Sequence, residues 1–305
     1  MDIVPVAPDT NQQLSYLLPE FINFSLPNAR LRSHVWERRN GTQTMTITAG
    51  STIGPDRADS FVPYGKYARA ALLFLCTEAG RPGRNGDPVI PISGSYRGFM
   101  KQLGVSWKRD NAVEAVRQMQ AIASCTIAVH NKSTRDDGVI EATTERYLIS
   151  AKDRMIFSSD RSGTLVEQEP SSIELSPDFM RMIATGGRVP VRTDVWTHLL
   201  RTSRSPMTLD IYVWLAYRLH HLKGTTPISW QQLHEQFGSG TELKDFTRKF
   251  KHALAEAKAV YPEANVTDLG KTARGGTHGI RLSLSKNAVD SVWTASPEED
   301  LPPES

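Results

Sequence analysis

Lys244, Arg248, Lys251 and His252 are spaced so that a helix carries all four on one side, because each residue turns the chain by about 100°. Leu243, Phe246, Phe250, Leu254, Ala257 and Tyr261 repeat every three or four residues and fall on the opposite side, which must then be the buried one. A cationic face backed by an apolar stripe suits one kind of chemistry, contact with phosphates and base edges in a DNA groove. An ordinary solvated face is the bland alternative.

Catalytic chemistry finds no comparable support. The Gly270-Lys271-Thr272 triplet has asparagine at 265, where a phosphate-binding loop requires glycine, and no helix follows it. His220 and His221 are adjacent, so on a helix they point about 100° apart and do not form a metal-binding pair. No serine or cysteine lies in a nucleophile motif, and a His-hydrophobic-His motif with a nucleophilic tyrosine is missing, so no catalytic residue, metal or cofactor is expected. Cys76 and Cys125 lie in apolar runs and read as buried free thiols.

The elements that must position the basic face surround it. Ser205 and Pro206 open a helix whose residues to Leu222 are nearly all apolar, with Gly224 available to end it. Pro227 and Ile228 allow a short strand, and Ser229 with Gln232 has the spacing of a capping box. Trp230, Leu233 and Phe237 form the buried stripe of a short helix, and the stretch from Gly238 to Gly240 turns the chain into the basic one. Two alternating stretches follow, joined by a glycine-rich loop with Lys271 and Arg274 near its tip. They predict a hairpin in the position of the wing of a winged helix.

The same order of elements precedes this stretch. A largely apolar helix from Gly65 to Glu78, a short helix with Tyr96, Phe99 and Leu103 inward, and a longer one capped by Asp110 with Val113, Val116, Met119 and Ile122 inward lead into strands at 125–131, 144–150 and 154–157. Residues 158–170 read as an irregular surface insertion, followed by a strand and helix over 173–184. The expected organisation is a flexible arm over 1–55, one domain over 56–187, a second over 188–289, and an acidic disordered tail over 290–305. Arg30, Arg32, Arg38 and Arg39 make the arm locally basic, and residues 13–17, QLSYL, look like a peptide that docks on the DNA sliding clamp.

With 305 residues, 39% apolar and 23% charged, the chain can bury a real core, and a formal charge of +3 permits nucleic-acid binding without demanding it. No window reaches the apolar length of a membrane span and the N-terminus lacks the pattern of a secretory signal, so a cytoplasmic protein is expected.

The segments PYGKYARAALLFLCTEA, SWKRDNAVEAVRQMQAI, SPMTLDIYVWLAYRL, ISWQQLHEQFG and FTRKFKHALAEAKAVYPEA, in this order between Pro63 and Ser285, resemble the plasmid-encoded RepA replication initiators. The resemblance implies an α+β fold of two tandem winged-helix domains. It also implies an initiator in monomer–dimer equilibrium that binds repeated sequences, iterons, in double-stranded plasmid origin DNA, helps melt it and recruits the host replicative helicase or initiator. It places DNA contacts on Lys244, Thr247, Arg248, Lys249, Lys251 and His252, with Arg248 reading guanine in a bidentate way, and on Lys108, Arg109, Asn111 and Arg117 in the first half. Trp214, Trp230, Phe246 and Phe250 match equally well but should be core. A repressor of the protein's own operon, an enzyme that nicks or primes origin DNA, and a basic helix that docks on a protein are the competing expectations.

Overall fold

The computed structural model describes residues 13–53, 58–93, 95–155, 171–238, 240–270 and 278–293. The chain begins with strand β1 (Leu14–Leu17), a short helix α1 (Pro19–Asn23), a hairpin of β2 (Val35–Asn40) and β3 (Gln43–Thr48), and the paired strands β4 (Ser51–Ile53) and β5 (Ala58–Ser60). Next come α2 (Gly65–Ala79), β6 (Val89–Ile92), α3 (Tyr96–Gln102) and α4 (Arg109–Ser124). Strands β7 (Thr126–Thr134), β8 (Ile140–Leu148), β9 (Ser150–Arg154) and β10 (Ser171–Leu175) lead to α5 (Pro177–Thr185). After β11 (Val189–Arg192) and α6 (Thr193–Thr202), the last part holds α7 (Pro206–Leu219), β12 (Thr226–Ser229), α8 (Trp230–Phe237), α9 (Leu243–Ala259), β13 (Val266–Asp268) and β14 (Gly279–Leu282).

Local signals in the sequence explain several of these boundaries. Ser205 caps α7 by accepting from the Met207 amide, with Pro206 at the first helical position. Ser229 and Gln232 form the full capping box of α8. α7 stops at Leu219, capped by His220, short of Gly224. The two histidine rings then stack with centroids 3.7 Å apart instead of diverging, and each Nδ1 faces the carbonyl four residues back. α4 begins after Lys108 with no side-chain cap. Asp110 lies inside its first turn, where it faces the positive helix end, and Val113 is exposed.

Sheet topology makes the repeated plan concrete. In the first half β10 lies between β6 and β9, and in the second β14 lies between β12 and β13, all antiparallel. In both, the strand that precedes the helix pair runs beside the last strand of the hairpin. The first-half counterpart of the terminal hairpin is therefore β9 with β10, not the strands at 125–131 and 144–150. Those belong to β7 and β8, which join β2 and β3 in a separate four-stranded sheet of order β2-β3-β7-β8. Of the expected strand at 154–157, Arg154 is the last residue of β9 and Met155 follows it, whereas residues 156–170, with the expected insertion, lie outside the described residues.

The expected flexible arm is not what residues 13–53 form. Leu17, Leu18, Phe21, Ile22, Phe24, Leu26, Met45 and Ile47 are all buried, and β1 pairs with β11 across the expected domain boundary. Asn40 precedes Gly41, whose φ of 61° is the left-handed conformation that a two-residue hairpin turn requires. Alternation in VWERRN and QTMTIT on either side of that turn is the strand signal.

Several buried contacts tie the two halves into one core. Arg69 of α2, buried, donates from Nε and Nη2 to the two oxygens of Asp210 on α7 at 2.6 Å each, and to the carbonyls of Leu26, Pro27 and Gly65. Arg38 of β2 donates to the carbonyls of Glu235 and Gly238 at the end of α8 and lies 4.1 Å from the Trp36 ring centroid. Burial lowers the Arg38 pKa to about 10, so it remains cationic at neutral pH. Arg192, also buried, holds Asp194 and donates to the carbonyl of Ser291. Trp293 packs on His198 with ring centroids 4.9 Å apart, so residues 290–293, expected as tail, are part of the fold. Cys76 and Cys125 are free and buried, and burial pushes both thiols up to about 12.

Candidate nucleic-acid interface

α9 is held from behind by aromatic side chains. Phe246 and Phe250 are buried, their centroids 5.6 Å apart, and Phe250 meets Phe237 at 5.6 Å and the half-buried Trp230 at 5.9 Å. Offset and edge contacts of this kind add to the area they bury. They fix the rotation of α9 and thus which residues point outward. Trp214 is also core, edge-on to Phe237 at 5.4 Å. Leu243, the first residue of the predicted stripe, is 39% exposed instead, because the first turn of α9 projects beyond this packing.

The outward face carries the predicted cations in unequal states. Lys244 and Lys249 are exposed and make no ion pair among the described residues. Arg248 is 74% exposed and only loosely engaged by Asp245 at 3.7 Å, so its guanidinium is available to a ligand. Thr247 donates its hydroxyl to the Leu243 carbonyl and keeps acceptor capacity. His252 lies 3.5 Å from Glu256, which also accepts from the Thr208 hydroxyl.

Lys251 differs from its neighbours. It contacts Asp268 of β13 at 2.5 Å and lies 5.3 Å from the Trp230 ring centroid, so it links α9 to the hairpin and to the start of α8. The hydrogen bond from Lys251, followed by that from the Gly270 amide, holds the Asp268 carboxyl below the usual range. Lys271 and Arg274, expected near the hairpin tip, lie outside the described residues.

In the first half, Lys108 and Arg109 are exposed at the start of α4 and Asn111 is half-buried. Arg117 is drawn elsewhere. It contacts Asp59 at 2.7 Å and Glu114 at 3.4 Å and lies 5.4 Å from the Phe61 ring centroid, bracing α4 against β5. Sequence reasoning missed Arg97, whose guanidinium lies 5.7 Å from the ring centroid of the exposed Trp107, just before α4. Trp107 directly before Lys108 and Arg109, an aromatic beside cations, is the signal in the sequence that points to this corner.

Among the described residues, no group of three or more His, Cys, Asp or Glu side chains is placed to hold a metal, and no helix is long and apolar enough to cross a membrane.

These elements define a mixed α/β protein in which a helix, a strand, a helix pair and a hairpin occur twice, the second time with a cationic face on the last helix. The chain belongs to the family of plasmid-encoded RepA proteins, the initiator family that its motifs resemble: the family profile described as "Plasmid encoded RepA protein" matches residues 62–232. That match takes in Lys108, Arg109, Asn111 and Arg117 and ends within α8, so α9 and its cations lie beyond it. The fold is similar to that of domains 2 and 3 of RctB, with a TM-score of 0.52 at 10% identity, over 88% of this chain and 96% of that one. A second structure of RctB domains 2–3 gives a TM-score of 0.45 at the same identity and coverage. No curated protein matches the chain.

Proposed function

We propose that the protein initiates plasmid replication by binding repeated sequences in its own origin, with no catalytic activity of its own. In this reading each half is a winged helix. α9 lies in the major groove with Arg248 on a guanine, and Lys244 and Lys249 on phosphates. α4 presents Lys108, Arg109 and Asn111 to neighbouring DNA, and the hairpins act as wings. Bound copies would strain the adjacent duplex and gather the host helicase in the cytoplasm.

The observation that carries this reading is the exposed cationic face of α9, held outward by Phe246 and Phe250, in a chain of the RepA family. Clamp docking through residues 13–17 would require β1 to leave β11.

Footprinting on the DNA that flanks the protein's gene tests the reading. Protection of direct repeats is expected, whereas protection of a palindrome alone would favour an operon repressor. In a parallel reaction with supercoiled origin DNA and a divalent metal, relaxed circles or new primers would overturn the non-enzymatic account.

A further inference from the structure

A cavity of about 300 Å³ lies between α1, the four-stranded sheet and α5, on a part of the protein that DNA binding leaves unused. Glu145 and Tyr147 alternate along β8 and so share one face of the sheet, with Val129 directly across from Glu145 on β7. Glu20 of α1 lines the same cavity. Tyr147 is 5% exposed, and neither its hydroxyl nor Glu20 Oε2, both buried, has a hydrogen-bond partner. Leaving such groups unpaired costs stability, and a native protein usually satisfies them. Burial raises the Glu20 pKa, and the nearby charge of the exposed Glu145 adds to the rise.

We propose that this cavity binds a primary ammonium group carried on a short aliphatic chain. The ammonium lies between Glu20, Glu145 and the Tyr147 oxygen, which together accept its three N–H bonds. The chain lies against Phe24, Val129 and Met182, the apolar part of the lining. A divalent metal fits less well. Among the described residues that line the cavity, Glu20 and Glu145 are the only carboxylates, fewer than a hard divalent ion usually takes with its other oxygen ligands. A free diamine or polyamine and a lysine side chain of a partner both supply this chemistry.

The test uses the full-length protein with methyl-labelled methionine, in which Met182 reports on the cavity and Met182→Leu identifies its signal. Titration with 1,5-diaminopentane and with Nα-acetyl-lysine amide, at ionic strength matched with KCl, should move that signal saturably. Tighter binding of the first points to a free amine, and of the second to a lysine side chain. Glu20→Gln and, at the more exposed position, Glu145→Gln should each weaken binding by about tenfold, the loss of a charge-assisted hydrogen bond. Tyr147→Phe should weaken it less. No shift beyond the KCl control, titrations of the two glutamine variants that match the parent's, or the same shift with MgCl₂ at equal concentration would overturn the proposal. None of these readouts involves DNA, so failure here leaves the initiator reading untouched.

Discussion

Replacing Arg248 with alanine removes the one guanidinium on α9 that is largely exposed and only weakly paired. Its loss is expected to weaken specific origin binding by about 1–3 kcal/mol, the worth of a bidentate base contact, as read by fluorescence anisotropy. Lys244→Ala and Lys249→Ala should instead lower the salt slope of binding by about one each, with little change in sequence preference. Lys251 was grouped with these cations by spacing alone. Helical periodicity tells which residues share a face, but it cannot tell that a later strand brings Asp268 to that face. Because the folded Asp268 carboxyl titrates below its unfolded value, its contribution is complete above the unfolded pKa and is lost as pH falls through the folded one. Thermal midpoints of the parent and of Asp268→Asn should therefore differ at neutral pH and converge in acid. A constant gap would mean that the charge of Asp268 is not what holds Lys251.

Helices with a strong start signal were the legible elements. The caps of α7 and α8 and the aromatic spacing of α9 depend on residues within one or two turns, where sequence alone is informative. Strand partners were not legible in the same way, because pairing depends on segments far apart. β7 and β8 alternate as well as β9 and β10 do, and only their partnership with β2 and β3 shows which hairpin belongs to the repeated plan. Within residues 13–26 the apolar side chains are distributed over β1, one helical turn and a loop, none long enough to show a period. The hairpin of β2 and β3 is legible, because alternation flanks the two-residue turn Gly41-Thr42. Element by element, the Arg69–Asp210 pair joining α2 to α7 is the most consequential contact. Asp210→Ala should destabilise the protein by about 3–5 kcal/mol in urea unfolding, because it strands a buried guanidinium. A double change to well-packed apolar residues should recover much of that loss. If Asp210→Ala unfolds like the parent, the pair does not hold these helices together.

At the scale of the molecule, β1 on β11, Arg38 on the end of α8 and Arg69 on Asp210 all cross the boundary that composition places near residue 187. A fragment over 188–305 should therefore lack a cooperative thermal transition and well-dispersed amide resonances. Restoring residues 13–53 in trans should improve both. A fragment that folds by itself would show the halves to be independent. The shared core also means that the two proposed DNA-facing helices, α4 and α9, are held at a fixed separation. The initiator reading is tested most directly by anisotropy titrations of the full protein on its own origin DNA and on a scrambled duplex of equal length, repeated with Lys244, Arg248 and Lys249 all changed to alanine. Specific binding of the parent to the origin, with a steep salt dependence that the triple variant loses while its unfolding curve is unchanged, is the predicted result. Equal affinity of the parent for both duplexes, or an unaltered titration for the triple variant, would contradict the assignment of α9 as the DNA-reading helix.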